Sequence, residues 1–282
     1  MKKLKIKYVT AFASAILVLL AVALSIQMKV IDVPREDCYR TNTSFKAGER
    51  LVYKVYYNWK FVWIPAGEVV MDIKENADDY EVKVVGTTYE SYDNFFRVRD
   101  YFYSKIDKKT LLPSNFVRKV EEGDYRLYDS VAFDQNTLTA KSFHGKTRAA
   151  ATMQNHKLNE CMHDLVSILY ALRNTETKYL KKGDHLPVKV MFDKEIYPVK
   201  VVYNGKESAK KIKDLGKFKT LRITPSMVAG TVFKDETKMD IWVSDDENKI
   251  PLLIESPLSV GSGKAILKSY SNLRNSFTSK IN

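Results

Sequence analysis

Four histidines are the side chains of this sequence best suited to general acid–base or metal chemistry. They are His144, His156, His163 and His185, and no two of them have the HExxH or paired spacing that holds zinc on one helix face. His163 adjoins Asp164, but adjacent helical residues point in different directions, so the two cannot act alone as a base with its orienting acid. The sequence therefore predicts no metal site and no catalytic residue.

An acidic run, Asp245-Asp246-Glu247, is a second candidate for cation binding or acid–base chemistry. It lies where the strand pattern predicts a β-turn, and acidic residues are common in turns. No GxSxG, P-loop or glycine-rich dinucleotide motif occurs in the chain. We therefore expect no cofactor and favour a non-enzymatic protein, with an enzyme whose site is dispersed as the alternative.

Period-two alternation predicts the elements that must position these side chains. Runs such as 51–57, 80–89 and 125–133 alternate apolar and polar residues and are separated by polar turns. Asn204-Gly205 between two such runs predicts a hairpin turn. We predict a mainly β fold, built as a curved antiparallel sheet or an open β-barrel or half-barrel, with one packed amphipathic helix.

The predicted helix spans residues 161–174, where the period changes from two to that of an α-helix. Its apolar residues fall on one face, at Leu165, Ile168, Leu169 and Leu172. Asn159 or Asp164 would cap its start, and Arg173 near its end suits the helix dipole. The apolar face must be buried against the sheet.

The N-terminus has the pattern of an export signal. Four lysines and no acid precede an apolar run that extends from Tyr8 to Ile26, and Ala23 and Ser25 fit a small-x-small cleavage site. An uncleaved anchor is the alternative, because a spanning helix needs roughly 17–25 residues, and this run would then contact the membrane. Both interpretations predict an exported protein, either periplasmic or tethered to the membrane on its periplasmic side.

Length and pattern predict four regions. They are a signal peptide or anchor at 1–25, an N-terminal arm at 26–43, a single β-rich domain at 44–274 and a C-terminal tail at 275–282. In an oxidising compartment Cys38 and Cys161 could form a disulfide that ties the arm to the domain. Two free thiols are the alternative.

The chain is basic, with a net charge of +12, of which residues 1–25 contribute four lysines and no acids. A basic patch is predicted at Lys206, Lys210, Lys211, Lys213, Lys217 and Lys219. It could dock onto phosphates or another envelope protein, whereas a solvated hairpin is the alternative. An exported protein rarely meets nucleic acid and no recognition motif is present, so we predict no nucleic-acid partner.

An aromatic segment joins the first two predicted strands. Its large rings belong to Tyr57, Trp59, Phe61 and Trp63. Together with the apolar face of the helix they would line a cavity for a lipid or acyl chain, or they would belong to an ordinary core. We therefore predict a binding protein for an apolar or lipid-like ligand, with a structural protein that docks onto an envelope component as the alternative.

Several segments in order resemble an uncharacterised family of exported bacterial proteins, domain of unknown function number 3108. Residues 45–53 match its F-x-x-G-E-x-L-x-Y opening, and the helix at 164–173 and the segment from Trp242 to Pro251 match as well. The family has no established activity, so the resemblance implies an exported, β-rich single domain and no catalytic residue. Its outline is similar to the open β-barrels that carry lipoproteins or lipids across the periplasm.

Overall fold

The computed structural model describes residues 39–59, 62–227, 237–257 and 261–281. The chain divides into two units, Met1–Asp37 and Cys38–Asn282. The first unit, with the predicted signal or anchor, and Cys38 lie outside the described residues, so signal cleavage and the Cys38–Cys161 disulfide stay predictions. Over the ranges that are described, no helix combines the length and hydropathy needed to cross a membrane.

The second unit is built almost entirely from β-strands. The first eight are β1 (Arg50–Trp59), β2 (Val62–Glu75), β3 (Asp79–Thr88), β4 (Arg99–Asp107), β5 (Pro113–Glu122), β6 (Tyr125–Asp134), β7 (Thr139–Gly145) and β8 (Thr152–Lys157). The others are β9 (His185–Phe192), β10 (Glu195–Ile212), β11 (Gly216–Met227), β12 (Thr237–Lys238), β13 (Asp240–Ser244), β14 (Pro251–Pro257), β15 (Ser262–Ser271) and β16 (Lys280–Ile281). Over the part of this unit that the structure describes, two short helices interrupt them, α1 (Glu90–Phe96) and α2 (Ser167–Arg173).

All sixteen strands belong to one antiparallel sheet. Its order is β8-β7-β6-β5-β4-β3-β2-β1-β15-β14-β13-β11-β10-β9, and β12 and β16 both pair with β11. The first eight strands therefore form a meander, and the remaining strands extend the sheet from the other edge of β1. Within the described ranges the two end strands, β8 and β9, do not pair with each other. The predicted curved, open antiparallel sheet is confirmed.

One apolar core unites strands from both ends of the sheet. Phe116 of β5 and Val131 of β6 are fully buried, and they share a cluster with Met191 of β9. Strands at opposite ends of a sheet reach one core only if the sheet curls around it. Alternation of inward and outward side chains, interrupted by register shifts in several strands, supplies the inner face of the sheet.

Helix α2 forms where a helix was predicted but is shorter. The N-cap position is Val166 and not Asp164, but Asp164 Oδ1 accepts hydrogen bonds from the backbone amides of Val166 and Ser167 at 2.6 and 2.8 Å, just before the helix. The preceding His163 instead pairs with β9, because its carbonyl accepts a bond from the amide of Met191 at 2.8 Å. Because His163 pairs with β9, the residues before Ser167 do not belong to the helix, which is shorter than predicted.

Three details differ from the sequence-based expectation. Helix α1 was not predicted. The hairpin turn predicted at Asn204-Gly205 was wrong: β10 continues through it, and its register with β11 shifts between Tyr203 and Gly205. Gly205 has a φ of +97°, which is the conformation a β-bulge needs and glycine adopts readily. The predicted C-terminal tail contains β16, which pairs with β11.

Candidate functional site

The outer face of β4–β7 carries an open groove of about 530 Å³, here called the outer groove. Aromatic rings form much of its wall, at Tyr101, Tyr103, Tyr128 and Phe143. The other lining residues are Asn115, Val117, Lys119, Ser130, Ala132 and Arg148. Every second residue of neighbouring strands points to the same face, which explains the spacing of these positions. A concave surface of this size, with aromatic rings beside several polar side chains, can hold a small molecule.

The electrostatic character of the outer groove depends on two cationic side chains and on the protonation of the Tyr101 and Tyr103 hydroxyls. Lys119 and Arg148 line it, and Lys119 Nζ lies 5.7 Å from the centroid of the Tyr101 ring. Burial, with the nearby Glu81 carboxylate, raises the pKa of Tyr103 to about 12 and also raises the pKa of Tyr101. Both phenols are therefore neutral near pH 7. The Tyr103 hydroxyl is hydrogen-bonded to Glu81, so the features of the outer groove that suit an amphipathic anion are its aromatic surface and the two cations.

A second polar group lies on the opposite, inner face of the same strands. This Asp193 cluster consists of Arg118 from β5, Asp129 from β6, His144 from β7 and Asp193 from the β9–β10 turn. Asp129 is the register partner of both Arg118 and His144, so these three side chains form one row across adjacent strands. Asp193 and Lys194 have φ values of +50° and +66°, as in the tight two-residue turns that join antiparallel strands.

Close polar contacts hold the β9–β10 turn against β5–β7. The backbone amide of Asp193 donates a hydrogen bond to Asp129 Oδ2 at 3.0 Å, and Arg118 Nη2 forms an ion pair with Asp193 Oδ1. His144 Nδ1 lies 3.5 Å from Asp129 Oδ1 and 3.4 Å from Asp193 Oδ1. The Asp129 side chain is 0% exposed, and burial raises the pKa of its carboxyl. The Asp193 cluster thus links strands from the two ends of the sheet.

Three buried polar atoms of the Asp193 cluster have no hydrogen-bond partner. They are Arg118 Nε, Asp129 Oδ1 and His144 Nδ1. Buried polar atoms in folded proteins are nearly always paired, so several unpaired atoms at one point require an explanation. The Asp193 cluster is therefore the second candidate site.

Ser142 and His156 form a third arrangement with the distance of a nucleophile and its base. Ser142 Oγ lies 2.7 Å from His156 Nε2. The Ser142 side chain is fully buried within the sheet, so a substrate cannot reach its hydroxyl. The contact satisfies the hydrogen bonding of a buried hydroxyl, and burial lowers the pKa of His156.

Most of the described residues that were predicted to line an apolar cavity lie in the core or pack against it. Ile168 belongs to the core, and Trp63, Leu165, Leu169 and Leu172 pack against it. Tyr57 is half-buried in β1. Phe61 and the side chain of Trp59 lie outside the described part of the chain. The described members do not line the outer groove, and their role in ligand binding stays a prediction.

The predicted basic patch lies on the β10–β11 hairpin and has two parts. Lys206 Nζ forms an ion pair with Asp245 at 3.0 Å, and Lys210 Nζ lies 3.6 Å from a ring centroid of Trp242. The remaining four lysines are exposed, at Lys211, Lys213, Lys217 and Lys219. Whether this patch binds a partner stays a prediction.

Comparisons with known proteins give a family and a fold. A family model described as "Protein of unknown function (DUF3108)" matches residues 52–268. That match includes every residue of the outer groove and of the Asp193 cluster. No curated protein matches the chain at a significant level.

Solved structures with a similar fold share little sequence. A β-barrel-like protein of domain of unknown function DUF1849 from Brucella abortus superposes with a TM-score of 0.56 and 9% identity, covering 81% of this chain and 99% of that chain. At this identity the likeness shows the fold alone. A candidate exported protein with a YmcC-like fold from Bacteroides fragilis has a TM-score of 0.35 and 11% identity, covering 83% of this chain and 100% of that chain. A candidate lipoprotein from Parabacteroides distasonis has a TM-score of 0.32 and 11% identity over 83% and 99%, and we draw no argument from these two.

Proposed function

The chain belongs to this family of proteins of unknown function, and we propose that it is an exported binding protein that holds an amphipathic anion, such as a fatty acid or an anionic lipid, in the outer groove. The observation that carries the proposal is a single concave surface of about 530 Å³ that brings four aromatic rings together with Lys119 and Arg148. The basic and apolar start of the sequence supports the location outside the cytoplasm.

The chemistry of the outer groove favours a ligand with one apolar part and one anionic part. Phe143 is 38% exposed, so apolar ring surface is available to a ligand, and covering it removes that surface from water. Lys119 and Arg148 supply the positive charge that an anionic headgroup needs, and a guanidinium can bind a carboxylate or phosphate through two hydrogen bonds. A purely apolar ligand would leave both cations unused.

The interior remains the alternative position for an apolar ligand, as the sequence analysis predicted. The helix residues proposed for that role are engaged in the core, where Ile168 is only 8% exposed. A ligand in the interior would have to displace packed side chains, and dense packing makes such displacement costly. The outer groove needs no rearrangement, so we favour it.

Binding of two matched probes tests the outer groove. Oleate and oleyl alcohol share an alkyl chain and differ in charge, so their affinities separate apolar from electrostatic binding. We expect oleate to bind at least about tenfold more tightly, a difference of about 1.4 kcal/mol. Substitution of both cations, Lys119→Glu with Arg148→Glu, should abolish that preference.

Blocking the outer groove provides the second arm of the test. Ala132 lines it, and Ala132→Trp should fill it and weaken binding of both probes. Thr139→Trp adds the same side chain at an exposed position of β7 that does not line the outer groove, and it should bind like the wild type. Equal binding by A132W and T139W would reject the outer groove as the binding site and favour a site in the interior.

A docking role for the basic hairpin is the second candidate function. Four of its lysines are exposed and close in sequence, with Asp214 as the acid at the turn between the strands. A surface of this charge suits anionic lipid headgroups or an acidic envelope protein. Reversal of Lys211, Lys213 and Lys217 to Glu should reduce sedimentation with vesicles that contain anionic lipid, and unchanged sedimentation would count against the role.

A further inference from the structure

We propose that Asp129, His144 and Asp193 form a binding site for one divalent transition-metal ion, with zinc as the representative ion. The site is independent of the outer groove, since it lies on the opposite face of the same strands. Each residue offers one ligand atom, and the three atoms all lie within 4.8 Å of one another. One imidazole nitrogen with two carboxylate oxygens is a ligand set that suits zinc and other borderline divalent metals.

The distances from His144 favour a shared metal ion over a hydrogen bond. Its Nδ1 lies 3.5 Å from Asp129 Oδ1 and 3.4 Å from Asp193 Oδ1. A charge-assisted hydrogen bond between nitrogen and carboxylate is usually about 2.7–2.9 Å long. Two ligands of a tetrahedral zinc ion, each about 2.0–2.2 Å from the metal, lie roughly 3.3–3.6 Å apart. The observed spacing therefore matches two ligands of one ion.

The unpaired atoms point to the same place. Asp129 Oδ1 and His144 Nδ1 are buried without a hydrogen-bond partner, and the Asp129 side chain is 0% exposed. The other Asp129 oxygen, Oδ2, already accepts the amide of Asp193, so Oδ1 is the atom left to bind something else. A metal ion would satisfy both unpaired atoms at once.

The charge balance of the Asp193 cluster also favours a cation. Asp129 and Asp193 bring two carboxylates, whereas Arg118 brings one guanidinium, which is paired with Asp193. Asp129 is left as a buried carboxylate without a full countercharge. A group in this position either takes up a proton or pairs with a cation. A divalent ion would supply the countercharge that Asp129 lacks.

Arg118 would act as a partner in the outer shell of the site. It contacts Asp193 Oδ1, the same oxygen that faces His144. When the metal binds that oxygen, the guanidinium can bond to Oδ2 of the same carboxylate and keep it oriented. His144 Nδ1 and Asp129 Oδ1 are themselves buried, so a water molecule bound with the ion would supply the fourth ligand of a tetrahedral site.

Zinc binding to the protein as purified from cells, without a histidine tag and after treatment with a chelator, tests the proposal. We expect calorimetric titration with Zn²⁺ to give one site per chain, and zinc should raise the Tm because it binds the folded state. His144→Gln and Asp129→Asn should each weaken binding at least about tenfold. His185→Gln is the matched control, since His185 is exposed on β9, and it should bind zinc like the wild type.

Two results would overturn the site. One is the absence of saturable zinc binding by the wild type, and the other is undiminished binding by both H144Q and D129N. If these variants fail to fold, X-ray absorption of the zinc-loaded wild type decides. We expect one imidazole with oxygen ligands, and a sulfur ligand or two or more imidazoles would contradict the assignment.

Discussion

The guanidinium of Arg173 donates two hydrogen bonds, of 2.6 and 2.8 Å, to the carboxylate of Glu49 in the interior of the domain. Arg173 ends helix α2 and Glu49 precedes β1, and both side chains are almost fully buried. Arg173 also donates to the carbonyls of Ser44 and Asn248. The pair therefore connects three separate segments of the chain, and all donor nitrogens of the guanidinium are occupied.

The first prediction concerns the stability that depends on this pair. Arg173→Ala should lower the free energy of unfolding by about 3–5 kcal/mol, because it leaves the Glu49 carboxylate buried without a partner. Arg50→Ala is the control, since the Arg50–Asp72 pair is largely exposed and should contribute less than about 1 kcal/mol. Urea unfolding measures both. Similar losses of unfolding free energy in R173A and R50A would contradict the prediction that the buried pair contributes more than the exposed one.

The second prediction concerns pH. Burial raises the pKa of Asp164 from its ordinary value of 3.8 to about 6, although hydrogen bonds from Ser104 and Ser167 act in the other direction. The folded state therefore holds the proton more tightly than the unfolded state does. This stabilisation is fully present below about pH 4 and is lost as the pH rises through about 6, with a change of about 3 kcal/mol.

Comparison with Asp164→Asn isolates this effect. We expect the unfolding free energy of the wild type to fall relative to D164N between pH 4 and 7. Asp134 is the control because hydrogen bonds from Thr137 lower the pKa of its carboxyl. Relative to D134N, the wild type should therefore lose stability as the pH falls. If the unfolding free energies of the wild type and D164N depend on pH in the same way, the pKa of Asp164 is not raised in the folded state.

The third prediction concerns the bulge at Gly205. Gly205→Ala should cost about 1 kcal/mol or more, because the φ of +97° is unfavourable for any residue with a Cβ atom. Gly86→Ala is the control, because it adds a Cβ atom in similar space but at a backbone conformation without positive φ. The added Cβ would meet its nearest atom at 3.7 Å in Gly86 and at 3.9 Å in Gly205. We expect no loss in G86A, and equal losses in thermal unfolding would argue against backbone strain.

The fourth prediction concerns the two cysteines. If Cys38 and Cys161 are joined, Cys161→Ser should lower stability by roughly 4–5 kcal/mol in the chain-entropy model, because the closed loop is long. Alkylation of the unreduced protein followed by mass spectrometry provides the direct measurement. Two alkylated cysteines before reduction would rule out the bond, whereas alkylation only after reduction would establish it.

Much of the fold was predictable because local pattern and packing agree. Alternation identified most strands, and the stripe from Leu165 to Leu172 identified helix α2. The Asn204-Gly205 turn was wrong because a glycine with positive φ serves a bulge as well as a turn, and only the long pairing of β10 with β11 distinguishes the two. The role of Arg173 was missed because its partner, Glu49, is 124 residues away.

Neither candidate site could be located from the sequence. The outer groove needs Tyr101, Lys119 and Arg148 side by side, which depends on the adjacency and register of four strands. Asp129, His144 and Asp193 have no local spacing typical of a metal site. They meet because pairing aligns β6 with β7 and because the sheet curls until the β9–β10 turn reaches them, and both are global properties of the chain.

The pairing of β1 with β15 has a consequence for the order in which the molecule can be assembled. Because β1 lies far ahead of β15 in the chain, a chain that is made or exported from its N-terminus presents β1 before β15 becomes available. Until then β1–β8 can form as a meander, but one side of β1 presents unpaired backbone groups. An unpaired edge invites association with other chains. Newly made molecules should therefore depend on chaperones until the last strands arrive, and truncation before β15 should yield aggregates rather than a smaller folded domain.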